Sequence, residues 1–260
     1  MKIAVCIKAV PDTETKIAIA SDRTHIETTG VKYIISPYDE FAIEEAAKIK
    51  EKLGGDVIGF SLGGAEVSDV LKTSLARGVD SAVHLKDDLF VDLDPLSTAI
   101  CLAAAIREGD FDIVLCGQQG VGGDNNQVPA ILAELLNWPQ VNLTIKLEIE
   151  GKEFKAEREI EGAHEIIVGT LPAVFSAQKD LNTPRYPSIK EIMAAKRKEV
   201  TIKDAQALGV KDTLAETKNQ VILKELSLPP PRPQGRKIEG SPEEQVKTLV
   251  QLLHTEAKVI

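Results

Sequence analysis

The residue types that could do chemistry gather in one stretch: Gly117, Gln118, Gln119, Gly120, Val121, Gly122, Gly123, Asp124, Asn125, Asn126, Gln127 and Val128. Glycines let a backbone approach a ligand closely, and amides at the start of the next helix can hold a phosphate without a basic side chain. Asn126, Gln127 and the amide of Val128 are the phosphate partners this spacing predicts. On composition alone the stretch is equally a surface loop that needs glycine for its turns. Two further strand-to-helix junctions, Ser36-Pro37-Tyr38-Asp39 and Ser61-Leu62-Gly63-Gly64, have the same character. Catalytic signatures are missing: there is no GxxxxGK[ST], GxSxG or HExxH pattern and no GxGxxG after the first apolar run. His25, His84, His164 and His254 are scattered, no two within one helical turn, so a metal pair is not expected.

Elements that could position these junctions are legible. Ile3 to Ile7, Val31 to Ile35, Val57 to Leu62, Ser81 to Leu85 and Asp112 to Cys116 are short Val- and Ile-rich runs, expected as strands buried on both faces. Between them, Tyr38 to Leu53 has helical spacing ended by Gly54 and Gly55, and Asp94-Pro95 opens a second helix running to Gly109. Alternating strands and helices predict an α/β fold, a doubly wound and mostly parallel sheet of Rossmann-like, adenine-nucleotide-binding type. All three junctions then lie at the ligand-binding edge of that sheet.

From Val141 the apolar period becomes two, and Glu150-Gly151-Lys152 can turn, which predicts an added antiparallel hairpin. Residues 183–203 hold six basic side chains, Arg185, Lys190, Lys196, Arg197, Lys198 and Lys203, against Glu191 and Glu199, a surplus of four. That run also presents Ile189, Ile192 and Met193, unusual for a solvated loop. The Pro-rich Leu228 to Pro233 reads as a stiff arm. Behind it, Ser241, Pro242 and Glu244 form a capping-box start for a helix with Val246, Leu249, Val250 and Leu253 on one stripe. That stripe must be covered by the core or by a partner.

Bulk properties bound the function. The chain has 260 residues, 43% apolar, with a net charge of −9, so it can close a core and is a poor nucleic-acid binder. Cys6, Cys101 and Cys116 lack CxxC spacing and read as buried thiols in a reducing compartment. No run is long enough to span a bilayer, and the first apolar run is too short for a signal peptide, so a cytoplasmic protein without membrane insertion is expected.

At this point the residues resemble the beta subunit of electron transfer flavoprotein, over nearly the whole chain. The most specific portion runs from Ala156 to Ser176 and includes Arg158, Glu161-Gly162, Glu165 and Pro172; Ala163 and Phe175 depart from the family pattern. Val31 to Ala46, Asp124-Asn-Asn-Gln127, and Asp180 to Tyr186 leading to Ile192-Met-Ala-Ala-Lys196 also match. The resemblance implies a heterodimer with an alpha subunit that holds most of the FAD, while this chain holds AMP and makes no bond itself. It carries AMP contacts to Cys6, to Ser36, Pro37, Tyr38 and Asp39, to Leu62, and to Gly117 through Val128. A partner-docking loop is implied at Thr183 to about Glu199, with Arg185, Ile189, Ile192 and Met193, Ile189 standing where leucine is common. Glu159 matches an acidic residue facing alpha. Donor flavin dehydrogenases such as acyl-CoA dehydrogenases and a downstream quinone oxidoreductase are the implied partners, in the mitochondrial matrix if the source is eukaryotic. The implied organisation is a core over 1–182 with its hairpin at 141–170, the docking loop at 183–203, and at 204–260 an arm and helix packing on the partner.

Some family members bind a second FAD in place of AMP and bifurcate electrons. Asn126 stands where they tend to carry alanine and favours AMP, whereas Gly122, Gly123 and Pro129 fit neither branch. A stand-alone adenylyl-transferring or hydrolysing enzyme and a purely structural adaptor are the rival classes. The first lacks a paired acidic metal site or a phosphate lysine in the glycine loop; the second would purify without nucleotide.

Overall fold

Along the first strand, alternate side chains enter two different apolar layers: Ile3, Val5 and Ile7 on one face, Ala4 and Cys6 on the other, all buried. That is the signature of a strand inside a parallel sheet covered on both sides. The computed structural model describes residues 1–217, 220–232 and 234–260. In chain order, β1 (Lys2–Cys6), β2 (Ala9–Pro11) and β3 (Tyr33–Ile35) lead to α1 (Pro37–Leu53), β4 (Asp56–Leu62), α2 (Val67–Ala76) and β5 (Ser81–Leu85). Next come α3 (Pro95–Arg107), β6 (Ile113–Gly117), α4 (Val128–Leu136), β7 (Gln140–Glu150), β8 (Glu153–Ile160), β9 (Ala163–Thr170) and β10 (Ala173–Ala177). The chain ends with α5 (Ile189–Ala195), β11 (Val200–Lys203), α6 (Lys211–Thr217) and α7 (Pro242–Leu252).

The main sheet has nine strands in the order β11-β5-β4-β1-β6-β10-β7-β8-β9. From β11 to β7 every pairing is parallel; β7–β8 and β8–β9 are antiparallel. Helices α1 and α2 bury their apolar side chains against one face, and α3, α4 and α6 against the other. The expected doubly wound α/β fold is thus observed. The chain winds outward from β1 to β4 and β5, then returns to β6 on the far side of β1. That reversal opens a crevice at the C-terminal ends of β1 and β6, where such sheets bind ligands.

Three expectations need correction. The Val31 to Ile35 run is not a strand of the parallel sheet: Tyr33–Ile35 pairs antiparallel with Ala9–Pro11 in a separate two-stranded ribbon. Only Ile35 of that run is fully buried, and Ser36-Pro37 turns the chain directly into α1, so its apolar residues back the helix start. The hairpin is a three-stranded meander, because Glu161-Gly162 turns β8 back into β9, Gly162 at φ 73°. Finally, 183–203 is no mere loop: it contains α5, and Val200–Lys203 pairs parallel with β5 as an edge strand of the main sheet.

Long-range polar contacts hold the peripheral segments. His25 lies 2.9 Å from Asp92 and 2.6 Å from Asp22 through its two ring nitrogens, and these carboxylates raise its pKa to about 9. It thereby joins the excursion after β2 to the approach of α3. Phe154 of β8 meets Phe175 of β10 edge-to-face at 5.0 Å, and both rings are buried. Phe175, one of the two family departures, therefore fills the junction between meander and core. No helix among the described residues is long and apolar enough to cross a membrane.

Candidate functional site

The crevice at the β1/β6 reversal is a cleft of about 710 Å3, counting its open mouth. Its wall contains Cys6, Asp39, Leu62, Gly117, Gln118, Gln119, Gly120, Gly123, Asp124, Asn125, Asn126, Gln127 and Val128. Thirteen of the expected cofactor contacts therefore meet in one place, although they come from β1, α1, β4, β6 and the segment before α4. Ser36, Pro37, Tyr38, Val121 and Gly122 do not line it. Ser36 is fully buried behind the wall, with its Oγ 3.5 Å from the Gln119 carbonyl, and a Cβ on Gly122 would meet open space.

Asp39 is the hub of the cleft floor. It sits in the first turn of α1, 6% exposed, and its carboxylate oxygens accept from the Lys8 amide at 2.7 Å and the Gly117 amide at 2.9 Å. One side chain thus fastens the end of β1 and the end of β6 to α1. Burial raises its pKa to about 7, outweighing the two amide donors and the Lys8 ammonium. Beside it the Cys116 thiol is also pushed well above its ordinary value, by its hydrogen bond with Cys6 and then by burial. All three cysteines are free and buried, as expected.

The glycine segment is shaped by its backbone. The Gly120 carbonyl accepts from the Asp124 amide at 2.9 Å and the Gly123 amide at 3.3 Å. Asp124 and Asn126 adopt left-handed conformations, φ 47° and 50°, which Asn and Asp tolerate better than most residues. Asp124 Oδ1 accepts from Gln119 Nε2 at 3.0 Å. Helix α4 then begins without a side-chain cap, since Gln127 makes no capping bond, and Pro129 has no N–H, so the Val128 and Ala130 amides are the ones open to a ligand. Gln118 Oε1 is buried and has no hydrogen-bond partner among the described residues. An unpaired acceptor costs about 1–3 kcal/mol, a cost that a ligand N–H or O–H would remove.

Pattern reading missed part of the wall. Ile7, Lys8, Phe60, Pro95, Thr98, Leu102 and Pro129 also line the cleft. Phe60, Pro95 and Leu102 give it an apolar side suited to a flat ring. Lys8 was overlooked because nothing local marks it: the glycine segment that its side chain approaches lies more than a hundred positions away. The histidines stay outside, with His84 Nε2 3.0 Å from the Gly63 carbonyl, His164 on Glu157 and His254 on the Ile260 carbonyl. No group of three metal-binding side chains occurs among the described residues.

The basic segment divides in two. Arg185 grips α1, donating to Glu44 Oε2 at 2.8 Å and Oε1 at 2.9 Å and also to Glu51. Lys198 Nζ donates to the Leu75 and Val79 carbonyls at 2.8 and 2.5 Å, closing the end of α2, and Lys203 pairs with Glu108. These three are anchors. Lys190, Lys196 and Arg197 are exposed and make no ion pair among the described residues. Between the anchors, the Ser188–Glu191 capping box starts α5. It presents Ile189 at 82%, Met193 at 57% and Ile192 at 45% exposure. Glu159 stands exposed on β8, opposite His164 of β9 and 3.5 Å from Gln178 Nε2.

At the C-terminus the Ser241–Glu244 capping box is formed as expected, and Val246, Leu249 and Val250 remain exposed. Of the expected stiff arm, Pro233 lies outside the described residues. Leu226 donates its amide to the Arg23 carbonyl at 2.7 Å and Glu225 pairs with Arg23, so the segment leading to the arm runs along the excursion after β2.

A fold that winds twice about a central strand, with a glycine-walled cleft at its reversal, defines a doubly wound α/β protein of Rossmann-like type. Comparison narrows the class. The model of the electron transfer flavoprotein domain matches residues 24–208. An electron transfer flavoprotein subunit beta of Bacillus subtilis (strain 168) is 42% identical over 262 residues, covering all of both chains. One from Thermoanaerobacterium thermosaccharolyticum is 40% identical over 257 residues, covering 98% of each, and that of Homo sapiens is 37% identical over 242 residues, 92% of this chain and 93% of the relative. The chain belongs to the electron transfer flavoprotein family and aligns with its beta subunits along their length, which makes it an electron-carrier subunit and not an enzyme in its own right.

Proposed function

We propose that this chain pairs with an alpha subunit, holds AMP in the cleft at the β1/β6 reversal, and helps enclose a FAD bound mainly by alpha. The flavin, when bound, would supply the electron chemistry, between flavin dehydrogenases of the acyl-CoA dehydrogenase kind as donors and a quinone oxidoreductase as acceptor. The chain's own residues bind, wall and dock. The observation that carries the reading is the cleft itself, where an apolar side, an uncapped helix start and the unpaired Gln118 acceptor meet, a donor set that fits an adenine nucleotide. The exposed stripe of α7 and Glu159 are the surfaces offered to alpha.

Acid release of nucleotides from the heterodimer, followed by chromatography, tests this directly. About one FAD and one AMP per heterodimer is the expected result. Two FAD and no AMP would move the chain to the bifurcating kind, and no flavin at all would overturn the reading.

The anchored segment is the docking element for the dehydrogenase. Arg185 and Lys198 fix its two ends, Ile189 projects as the apolar anchor, and Lys190, Lys196 and Arg197 steer the encounter. Ile189→Ala is expected to lower kcat/KM for transfer from the dehydrogenase by about tenfold, the scale of one lost interface anchor. FAD content and Tm stay unchanged, because the side chain packs on little of its own protein. Wild-type transfer kinetics in the variant would remove Ile189 from this role.

A further inference from the structure

Among the described residues the cleft wall has one cationic side chain, Lys8, and it does not come from the glycine segment. Lys8 follows β1, and its backbone is held from both sides: its amide donates to Asp39 Oδ2 at 2.7 Å, and its carbonyl accepts from the Ser36 amide at 2.9 Å. With the backbone so fixed, the side chain runs into the curl of the glycine segment. A Cβ built on Gly120 would stand 2.5 Å from Lys8 Cδ and 2.8 Å from Nζ, and one on Gly123 would stand 3.6 Å from Nζ. Gly120 is therefore glycine for a reason beyond turning the chain, since any side chain there would displace the lysine.

The ammonium belongs to an exposed side chain and lies near enough to Asp39 to lower its pKa, but it makes no side-chain hydrogen bond among the described residues. Lys8 Nζ makes no ion pair with a carboxylate among the described residues. The two acids in the same wall are occupied: Asp39 holds two backbone amides, and Asp124 Oδ1 accepts from Gln119. The same cleft contains the uncapped start of α4, whose open amides also attract negative charge. A lysine with unspent charge and an uncapped helix start, on the wall of one cleft, make a receptor for a phosphate group.

We propose that Lys8 is the charge partner of the nucleotide phosphate in this cleft, and that it gives the site its preference for an adenylate over the uncharged nucleoside. The inference rests on the AMP reading above and deepens it: the phosphate is held by a lysine delivered from β1 as well as by backbone amides. A single ammonium in a wall that also holds Asp39 and Asp124 matches one phosphate better than a chain of them, because further phosphates would add negative charge beside those carboxyl groups with no second cation in the described wall to offset it.

The heterodimer, stripped of AMP and titrated with AMP or with adenosine, tests the claim. Wild type is expected to bind AMP at least about tenfold more tightly than adenosine, the scale of one charge-assisted contact. Lys8→Gln, which keeps reach but removes the charge, is expected to lose most of that preference while binding adenosine as wild type does; Lys8→Arg is expected to retain it. A Lys8→Gln complex that still prefers AMP as strongly as wild type would overturn the proposal. Should Lys8→Gln fail to assemble, Lys8→Met decides, since it keeps the length of the side chain and removes the charge: preserved preference refutes the proposal, and lost preference supports it. Wild-type complex that carries no AMP and discriminates neither ligand would instead remove the AMP reading, and this inference with it.

Discussion

Gly117→Ala is expected to lower the Tm of the heterodimer by on the order of 10 °C, or to prevent the chain from accumulating. Gly117 ends β6 where α1 begins to cross it, and a Cβ there would stand 2.3 Å from Asp39 Oδ1, 2.7 Å from the Tyr38 carbonyl carbon and 2.8 Å from the Asp39 amide nitrogen. Two of those atoms are backbone, so no side-chain rotation relieves the overlap. The helix start must move away from the sheet, and the 2.9 Å bond from the Gly117 amide to Asp39 goes with it. Overpacking in a closed core costs about 1–3 kcal/mol and a broken buried hydrogen bond about 1–3 more. At roughly 2–4 °C per kcal/mol for a chain of this size, the sum gives the expected shift. Gly235→Ala is the control, because a Cβ there meets nothing within 4 Å and its Tm should stay within about 2 °C of wild type. A Gly117→Ala protein as stable as that control would refute the close approach of α1 to β6.

The contrast between Gly117 and Lys8 shows what this sequence discloses. Gly117 ends a strand buried along its whole length, and runs such as Ile3 to Ile7 and Val57 to Leu62 have a composition that only a doubly covered sheet explains. The starts of α1 and α3 are equally legible, because capping and proline chemistry act within four residues. So the sheet, its winding and the glycine segment could be read, and with them thirteen residues that the structure brings to the wall of one cleft. What escaped were pairings decided far along the chain. Val200-Thr-Ile-Lys203 is too short and too exposed to announce an edge strand, and only the free side of β5 tells it where to lie. Tyr33–Ile35 has the composition of a core strand but finds the short β2 first. Arg185 reads as a steering charge because it sits among lysines; the structure spends it on Glu44 and Glu51, which lie on α1 more than 130 positions earlier. Spacing reports local geometry, whereas a charge acquires its role from whichever partner the fold brings within 3 Å.

Asp39→Asn is expected to change how stability depends on pH, and its effect rivals that of Gly117→Ala. In the fold the Asp39 carboxyl titrates at about 7, against an ordinary value of 3.8, because burial outweighs the hydrogen bonds from Lys8 and Gly117. Between those two values the folded chain binds a proton that the unfolded chain has released, so stability falls as pH rises across that window and levels off above about 7. The contribution is fully present only below about pH 4. Asparagine cannot ionise, so its variant lacks this slope; the nitrogen end of its amide faces a backbone N–H, which leaves one buried donor unsatisfied at every pH and costs about 1–3 kcal/mol. The two effects separate cleanly: the hydrogen-bond loss shifts the variant's curve as a whole, while the titration changes its shape. Relative to wild type, the variant should therefore gain on the order of 3 kcal/mol between pH 4.5 and 8, seen as Tm curves that converge or cross with rising pH. Parallel Tm curves across that range would show that the carboxyl titrates at its ordinary value, and that the amides of Lys8 and Gly117 suffice to hold a full negative charge at the floor of the cleft.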